Sequence, residues 1–194
     1  MSAFGLIVGL GNPGKEYRDT RHNAGFMLAD RLVDEWGGQW RTEKKFFAEL
    51  AECGFEGRRY ILCKPTTYMN ASGEAVAKVA LFHKVVAAET LVLVDDADLP
   101  LGTVRLRGEG SPGGHHGLES IEQHMGTRGY PRLKLGIARP RPEVRDIAGH
   151  VLGRFQSEEL PLLGKVLARA ERQVGCWASE GLAKAMSLYN GAVS

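Results

Sequence analysis

The chain has 194 residues, 43% of them hydrophobic and 25% charged, with a formal net charge of +2, and this length suits a single domain spanning residues 1–194. The three cysteines (Cys53, Cys63 and Cys176) are odd in number and widely spaced, which excludes a disulfide framework and fits a reducing compartment. No apolar run approaches the roughly 18 residues of a membrane span and no signal segment opens the chain, so we expect a soluble, cytoplasmic protein without membrane contact.

The chain opens with a predicted buried strand at residues 6–10, followed by Gly9-x-Gly11-x-x-Gly14 and a helix that starts near residues 20–22. The glycine spacing is that of the dinucleotide-binding fingerprint. Asn12-Pro13-Gly14, however, strongly favours a tight turn, so a pyrophosphate would face a loop instead of a helix N-terminus. A nucleotide-dependent oxidoreductase therefore remains an alternative that depends on the glycines alone.

The middle of the chain predicts a hairpin, a helix and a buried strand. Residues 46–53 and 58–63 are typical of two paired strands. A helix with apolar residues at positions 75–82 follows Asn70, which could act as its N-cap. Residues 91–94 are continuously apolar and end at Asp95.

Two further strands, 104–107 and 132–137, alternate apolar residues with Arg or Lys, so each is predicted to have one basic face. A glycine-rich loop at 108–114 and a helix at about 116–125 lie between them. Residues 102–145 carry a net charge of +4, which leaves −2 for the rest of the chain. A basic surface on a nearly neutral body favours a polyanionic partner, although ordinary solvent-exposed strand faces and loops would give the same local net charge.

After a Pro- and Arg-rich stretch at 139–145, a helix is predicted from Ser157 and a last one near 179–189. Strands interleaved with helices, some joined by hairpins, indicate an α/β fold. We expect one domain with a twisted mixed β-sheet flanked by helices.

Polar residues follow the predicted strands at points where a ligand can bind. In open α/β sheets ligands lie beyond the carboxyl ends of the strands, where Asn12, His22, Asn70 and Asp95 are expected. Asp95 can accept a hydrogen bond from His22 and fix its tautomer. This pairing indicates a histidine that serves as a general base.

Different interpretations stay open from these residues alone. His22 could be an ordinary helix-start residue, and Asn70 could be only a helix cap. Asp95-Asp96-x-Asp98 offers oxygens for Mg²⁺, and the adjacent His115 and His116 could ligate zinc, although neighbouring histidines rarely converge on one ion. We expect no metal and no cofactor.

Taken together, four motifs resemble those of the bacterial peptidyl-tRNA hydrolase family, in the family's order and over nearly the whole chain. They are residues 9–25 with Asn12-Pro-Gly, Tyr17 and Thr20-Arg-His-Asn, then Lys64-Pro-Thr-Thr-Tyr-Met-Asn70-x-Ser-Gly73, residues 95–101, and Gly113-Gly-His-His-Gly-Leu118.

The resemblance implies a monomeric, metal-independent esterase that cleaves the bond between a peptide and the tRNA 3′ ribose and so recycles tRNA. By the same resemblance His22 activates water, Asp95 supports it and Asn12 distinguishes N-blocked from free aminoacyl groups. The remaining assignments are contacts to the peptidyl end or terminal adenosine by Tyr17, Tyr68, Asn70 and His116, and contacts to acceptor-stem phosphates by Arg105, Arg107 and Lys134.

The chain departs from the family pattern at His116, where asparagine is usual, and at Val94, where histidine often precedes the aspartate. The resemblance also leaves open a function of a different class. A non-catalytic RNA-binding adaptor would keep the fold and the basic groove, but the set of site residues in this chain is intact.

Overall fold

The computed structural model describes residues 1–139, 143 and 147–194, so parts of the Pro- and Arg-rich stretch 139–145 lie outside the described residues. The helices of the described chain are α1 (Ala24–Glu35), α2 (Ser72–His83), α3 (His116–Met125), α4 (Ile147–Val151), α5 (Leu160–Glu180) and α6 (Leu182–Tyr189). Its strands are β1 (Phe4–Gly9), β2 (Arg41–Glu43), β3 (Ala48–Phe55), β4 (Arg58–Pro65), β5 (Thr90–Asp96), β6 (Thr103–Arg107), β7 (Arg132–Gly136) and β8 (Gly191–Ala192). None of these helices is long and apolar enough to cross a membrane.

The strands form one mixed sheet in the order β2-β3-β4-β1-β5-β7-β6-β8. Its centre is parallel, because β1 pairs with β4 and β5, and β5 pairs with β7. Its two margins are antiparallel, with β2, β3 and β4 on one side and β7, β6 and β8 on the other. The α/β fold with a mixed sheet is therefore confirmed, and the carboxyl ends of four parallel strands meet at one edge.

Helices cover both faces of the sheet, as its fully apolar central strands require. Side chains alternate along β1, so that Ile7 packs with α1, α5 and α6 whereas Leu6 and Val8 pack with α2 and α3. Burial of these two apolar clusters is the main stabilising contribution to the fold. It also fixes the strand ends from which the site residues project.

The close approach of α1 to the sheet depends on two glycines. A Cβ atom on Gly9 would lie 2.6 Å from the carbonyl oxygen of Gly25, and one on Gly25 would overlap the carbonyl oxygen of Leu93. Both approaches are too close for real atoms, so the helix reaches this depth only because both positions lack a side chain. A 3₁₀ turn at Arg21–Asn23 leads into α1 and carries His22 to the same edge of the sheet.

Three sequence-based predictions differ from the structure. Asn70 is not the N-cap of α2, because it lies within a 3₁₀ turn, Met69–Ala71, and its side chain caps no backbone group. The first hairpin strand begins at Ala48 because Phe47 before it adopts a left-handed backbone, with φ of 53°. The last helix begins at Leu182 because Gly181, with φ of 91°, interrupts the chain after α5.

Candidate active site

The polar residues predicted to form an active site lie together at the edge where the parallel strands end. Asn12 follows β1, Asn70 follows β4, and Asp95 is the penultimate residue of β5. With His22 they line one cavity of about 390 Å³. The structure thus brings together all four residues that are expected at the strand ends.

His22 is held by the carboxylate of Asp95. Its Nδ1 lies 2.9 Å from Oδ2 and 3.0 Å from Oδ1, and the two side chains are 12% and 1% exposed. Because a carboxylate only accepts hydrogen bonds, Nδ1 carries the proton of the neutral ring and the lone pair is on Nε2. We find no partner for Nε2 among the described residues, so this nitrogen is available to a molecule in the cavity.

The turn that carries His22 is anchored by its neighbour Arg21. The Arg21 guanidinium donates to the carbonyl oxygen of Arg154 at 2.5 Å and to Glu159 at 2.7 Å, and its backbone N–H donates to Gly153 at 2.9 Å. The Arg21 side chain is 7% exposed. These contacts bind the turn to the segment between α4 and α5 and limit movement of the imidazole.

His115 makes a second hydrogen bond to the same carboxylate, which sequence reasoning missed. Its Nδ1 accepts from the N–H of Gly117 at 3.2 Å, so the proton of the neutral ring is on Nε2. That Nε2 lies 2.9 Å from Oδ1 of Asp95. The two imidazole rings are 4.9 Å apart between centroids. Asp95 therefore receives N–H donors from both His22 and His115.

Asp95 stays ionised because of these donors. Burial alone would raise the pKa of Asp95, but the interactions with His115 and His22 outweigh burial and hold that pKa at about 2. A permanent carboxylate at this position keeps the His22 lone pair on Nε2, facing the cavity.

The side-chain amide of Asn12 is oriented by its surroundings. Its Oδ1 accepts from the N–H of Met69 at 2.8 Å, which leaves the NH₂ group as the free end. The backbone of Asn12 is clamped by Asn23, whose amide accepts from its N–H at 2.9 Å and donates to its C=O at 3.0 Å. Asn12 is 8% and Asn23 1% exposed. Asn23 is a second residue that sequence reasoning missed, although it is the last residue of the Thr20-Arg-His-Asn motif.

The predicted substrate contacts divide between the cavity wall and its rim. Tyr68, Asn70 and His116 line the cavity, and Tyr68 is 62% exposed. Tyr17 packs edge to face against Tyr68, with ring centroids 6.4 Å apart. Ile147 and Val151 of α4 add apolar side chains to the lining of the cavity.

The predicted basic contacts lie on neighbouring strands. Arg105 and Lys134 are cross-strand partners in β6 and β7, so their side chains share one face, and Arg107 follows two residues later. Arg105 and Arg107 are exposed. Lys134 lines the cavity and forms an ion pair of 2.9 Å with Asp96. The prediction of a basic face on β7 is wrong at Arg132, which is buried.

The structure does not favour a metal at this site. The inward donor atoms of His22, Asp95 and His115 lie within 4.8 Å of one another, a spacing that could hold an ion. A metal needs lone pairs, whereas both histidines direct protons at Asp95 and the other nitrogen of His115 is already an acceptor. Binding an ion would break each of these hydrogen bonds.

Magnesium, paired-histidine zinc and dinucleotide sites also lose support. Asp96 and Asp98, the candidate Mg²⁺ ligands, form ion pairs with Lys134 and Arg139. His116 faces Glu119 at 3.1 Å instead of converging with His115. The glycine fingerprint is followed by a 3₁₀ turn at Lys15–Tyr17, so the end of an α-helix does not face it.

Comparisons with known proteins agree with the resemblance. The family profile described as peptidyl-tRNA hydrolase matches residues 6–194. A peptidyl-tRNA hydrolase of Synechococcus sp. (strain JA-3-3Ab) is 48% identical over 188 residues, which cover 97% of this chain and 83% of that protein. One of Brevibacillus brevis is 45% identical over 185 residues, 95% and 97% of the two chains. The crystal structure of peptidyl-tRNA hydrolase from Acinetobacter baumannii matches with a TM-score of 0.93 at 36% identity, over 100% of this chain and 97% of that one.

Proposed function

Because the chain belongs to the peptidyl-tRNA hydrolase family, we propose that His22 is the general base of its reaction and that Asp95 holds His22 in the reactive tautomer. The chain is a carboxylic ester hydrolase that cleaves the ester between a peptide and the 3′ ribose of tRNA and so recycles tRNA. The proposal for the two residues is carried by one observation, the hydrogen bond from His22 Nδ1 to Asp95 that leaves Nε2 free.

The reaction follows from that geometry. A water molecule attacks the ester carbonyl carbon while Nε2 of His22 takes one of its protons. Negative charge then develops on the carbonyl oxygen, where the side-chain amide of Asn70 can donate a hydrogen bond. The C–O bond to the ribose breaks, and the ribose oxygen receives the proton from His22. The products are a tRNA with a free 3′-hydroxyl and a peptide with a free carboxyl group, which releases its proton to solvent and becomes a carboxylate.

Asn12 gives a physical basis for preferring N-blocked substrates. Its Oδ1 is occupied by Met69, so it presents an NH₂ donor to the cavity. The carbonyl of an N-acyl group accepts such a hydrogen bond, whereas a free α-ammonium group has only donors. A peptidyl substrate can therefore be held at this position, and an unblocked aminoacyl group cannot.

Replacing Asn12 with aspartate tests this assignment. The carboxylate keeps the hydrogen bond to Met69 but substitutes an acceptor for the NH₂ donor. We expect kcat/KM for N-acetyl-aminoacyl-tRNA to fall by about 10- to 100-fold, the effect of one lost buried hydrogen bond. The ratio of kcat/KM for unblocked to N-acetyl-aminoacyl-tRNA should therefore be higher than in the wild type. The measurement is the release of the amino acid from each tRNA in parallel reactions.

The matched control is Asn70→Asp, which adds the same charge to the same cavity and leaves the side chain of Asn12 unchanged. We expect it to slow both substrates and to leave their order unchanged. An equal change of preference in both variants would mean that Asn12 has no specific part in the discrimination.

The tRNA is proposed to lie along the face of β6 and β7, where Arg105, Arg107 and Lys134 contact acceptor-stem phosphates. Tyr17, Tyr68, Asn70 and His116 contact the 3′ end or the peptide, since they surround the cavity mouth. Exposed arginines beside Lys134, which lines the cavity, can hold phosphates at short range, without reading the base sequence. The 3′ end would then reach His22 from that side.

The contact at Arg105 predicts a change in salt dependence. Each neutralised phosphate contributes about 0.7 to 0.9 to the slope of log Kd against log salt concentration. Arg105→Gln is expected to weaken tRNA binding and to reduce that slope by about this amount, measured by titration between about 50 and 200 mM salt. Lys84→Gln, at the far end of α2 from Asn70, is the control and should leave the slope unchanged. An unchanged slope for Arg105→Gln would remove Arg105 from the interface.

We also propose that the protein acts as a monomer in the cytoplasm without an obligate protein partner. The general base, its carboxylate, the amides and the basic residues that the proposed reaction uses are all present in this chain, and the three cysteines are buried and unpaired. The adaptor function is not favoured, since the donor and acceptor pattern around His22 is complete.

A further inference from the structure

Arg132 is a buried cation that forms no ion pair with a carboxylate within the described residues. The residue is 1% exposed, and burial lowers its pKa. Its guanidinium donates instead to three backbone carbonyls, those of Gly110 at 2.7 Å, Arg128 at 2.8 Å and Tyr130 at 3.3 Å. It also stacks 4.1 Å over the centre of the Tyr130 ring. Burying a charge costs free energy of folding, and here the three hydrogen bonds to carbonyl groups offset part of that cost.

The guanidinium joins two loops that are separate in sequence. Gly110 belongs to the glycine-rich loop, residues 108–114, which leads into His115 at the start of α3. Arg128 and Tyr130 belong to the connection between α3 and β7. In the part of the chain that the structure describes, the bond from Arg132 to Gly110 is the only hydrogen bond that ties residues 108–111 to the body. The glycines of this loop, including Gly113 and Gly114 with positive φ, do not stiffen it themselves.

The glycine-rich loop ends in the residues that complete the site. His115, directly after the loop, donates to Asp95, and Pro112, Gly113 and Gly114 line the cavity beside His116. A shift of the loop would move the second donor on Asp95 and the wall that faces the substrate. Arg132 thus holds the part of the loop that precedes these groups, without a hydrogen bond to any of them.

We propose that Arg132 is a positioning residue for the reaction, whose guanidinium fixes the glycine-rich loop so that His115 meets Asp95. This inference rests on the proposed function of Asp95 and His22. Arg132 acts by holding the loop and not by binding a tRNA phosphate, since a guanidinium buried to this degree cannot reach a tRNA.

The test compares Arg132→Met, which keeps an apolar stem, with Arg132→Lys, which keeps the charge but cannot span both loops. For Arg132→Met we expect kcat/KM for N-acetyl-aminoacyl-tRNA to fall by about 10- to 100-fold, as a displacement of about 1 Å produces, with part of the loss in kcat. The kcat/KM of Arg132→Lys should lie between those of Arg132→Met and the wild type. Faster hydrogen exchange is expected at the amides of His115 and Gly117, which bond to Pro112 and to the His115 ring.

Salt dependence separates positioning from direct tRNA contact. The slope of log Kd against log salt should equal that of the wild type for both variants, unlike that of Arg105→Gln. A folded Arg132→Met with wild-type kcat/KM, unchanged exchange at His115 and Gly117, or a reduced salt slope would each overturn the inference. If Arg132→Met does not fold, the same three readouts on Arg132→Lys decide it. Failure of the wild type itself to cleave the substrate would instead refute the proposed function.

Discussion

Replacing His22 with alanine is expected to lower kcat for N-acetyl-aminoacyl-tRNA by about 10²- to 10⁴-fold, the usual contribution of a general base. The reason is that Nε2 of His22 is the nitrogen in the cavity that Asp95 holds with a free lone pair. Binding of tRNA should change little, because the proposed phosphate contacts lie on β6 and β7. The measurements are kcat from steady-state hydrolysis and Kd from titration with uncleaved tRNA.

The matched control for that variant is His124→Ala. His124 lies near the end of α3, bonds to the carbonyl oxygen of Ser120 and is not among the residues that line the cavity. We expect its kcat to remain near that of the wild type. A His22→Ala protein with turnover near the wild-type value would contradict the assignment of the base.

Replacing Asp95 with asparagine is expected to reduce kcat by about 10³- to 10⁴-fold, since a histidine held in the wrong tautomer cannot act as a base. Oδ1 of Asp95 already accepts from His115, so the new NH₂ group would take the place of Oδ2, 2.9 Å from His22 Nδ1. Two donors cannot face each other. His22 would then accept through Nδ1 and carry its proton on Nε2, where it blocks catalysis.

Asp98→Asn is the control for this variant, because Asp98 lines the same cavity but is exposed and pairs with Arg139. Lowering the pH does not reproduce the effect of Asp95→Asn above about pH 4, because Asp95 stays ionised there. The pKa of Asp95 is about 2, below its usual 3.8, so its stabilising effect is fully present above about pH 4 and is lost only as the pH falls towards 2. A kcat for Asp95→Asn within a few-fold of the wild type would exclude the tautomer mechanism.

Much of the fold and the main site residues could be predicted because they depend on local patterns. The continuously apolar strand 91–94 and the turn at Asn12-Pro13-Gly14 indicate where strands end, and parallel strand ends share one edge. Convergence of Asn12, His22 and Asp95 then follows from topology alone. The sequence does not predict the short strands β2 and β8 or the five-residue α4. Segments of this length are too short to show the hydrophobic periodicity of a strand or a helix.

The remaining parts of the site depend on contacts that no local pattern encodes. Asn23 and His115 act through hydrogen bonds to residues 11 and 20 positions away in the sequence. Alternation assigns Arg132 to a solvent-facing side, but a loop folds over that side and supplies carbonyls for its guanidinium. Asn70 has the composition of a helix cap, yet a 3₁₀ turn precedes α2 and leaves its side chain facing the cavity.

Cleavage assays in EDTA with N-acetyl-aminoacyl-tRNA and unblocked aminoacyl-tRNA are the decisive measurement, because they ask whether a histidine held by Asp95 hydrolyses N-blocked esters without a metal. We predict full activity towards the blocked substrate in EDTA and little towards the unblocked one. Activity that disappears in EDTA and returns with Zn²⁺ or Mg²⁺, or tRNA binding without cleavage of either ester, would contradict this mechanism.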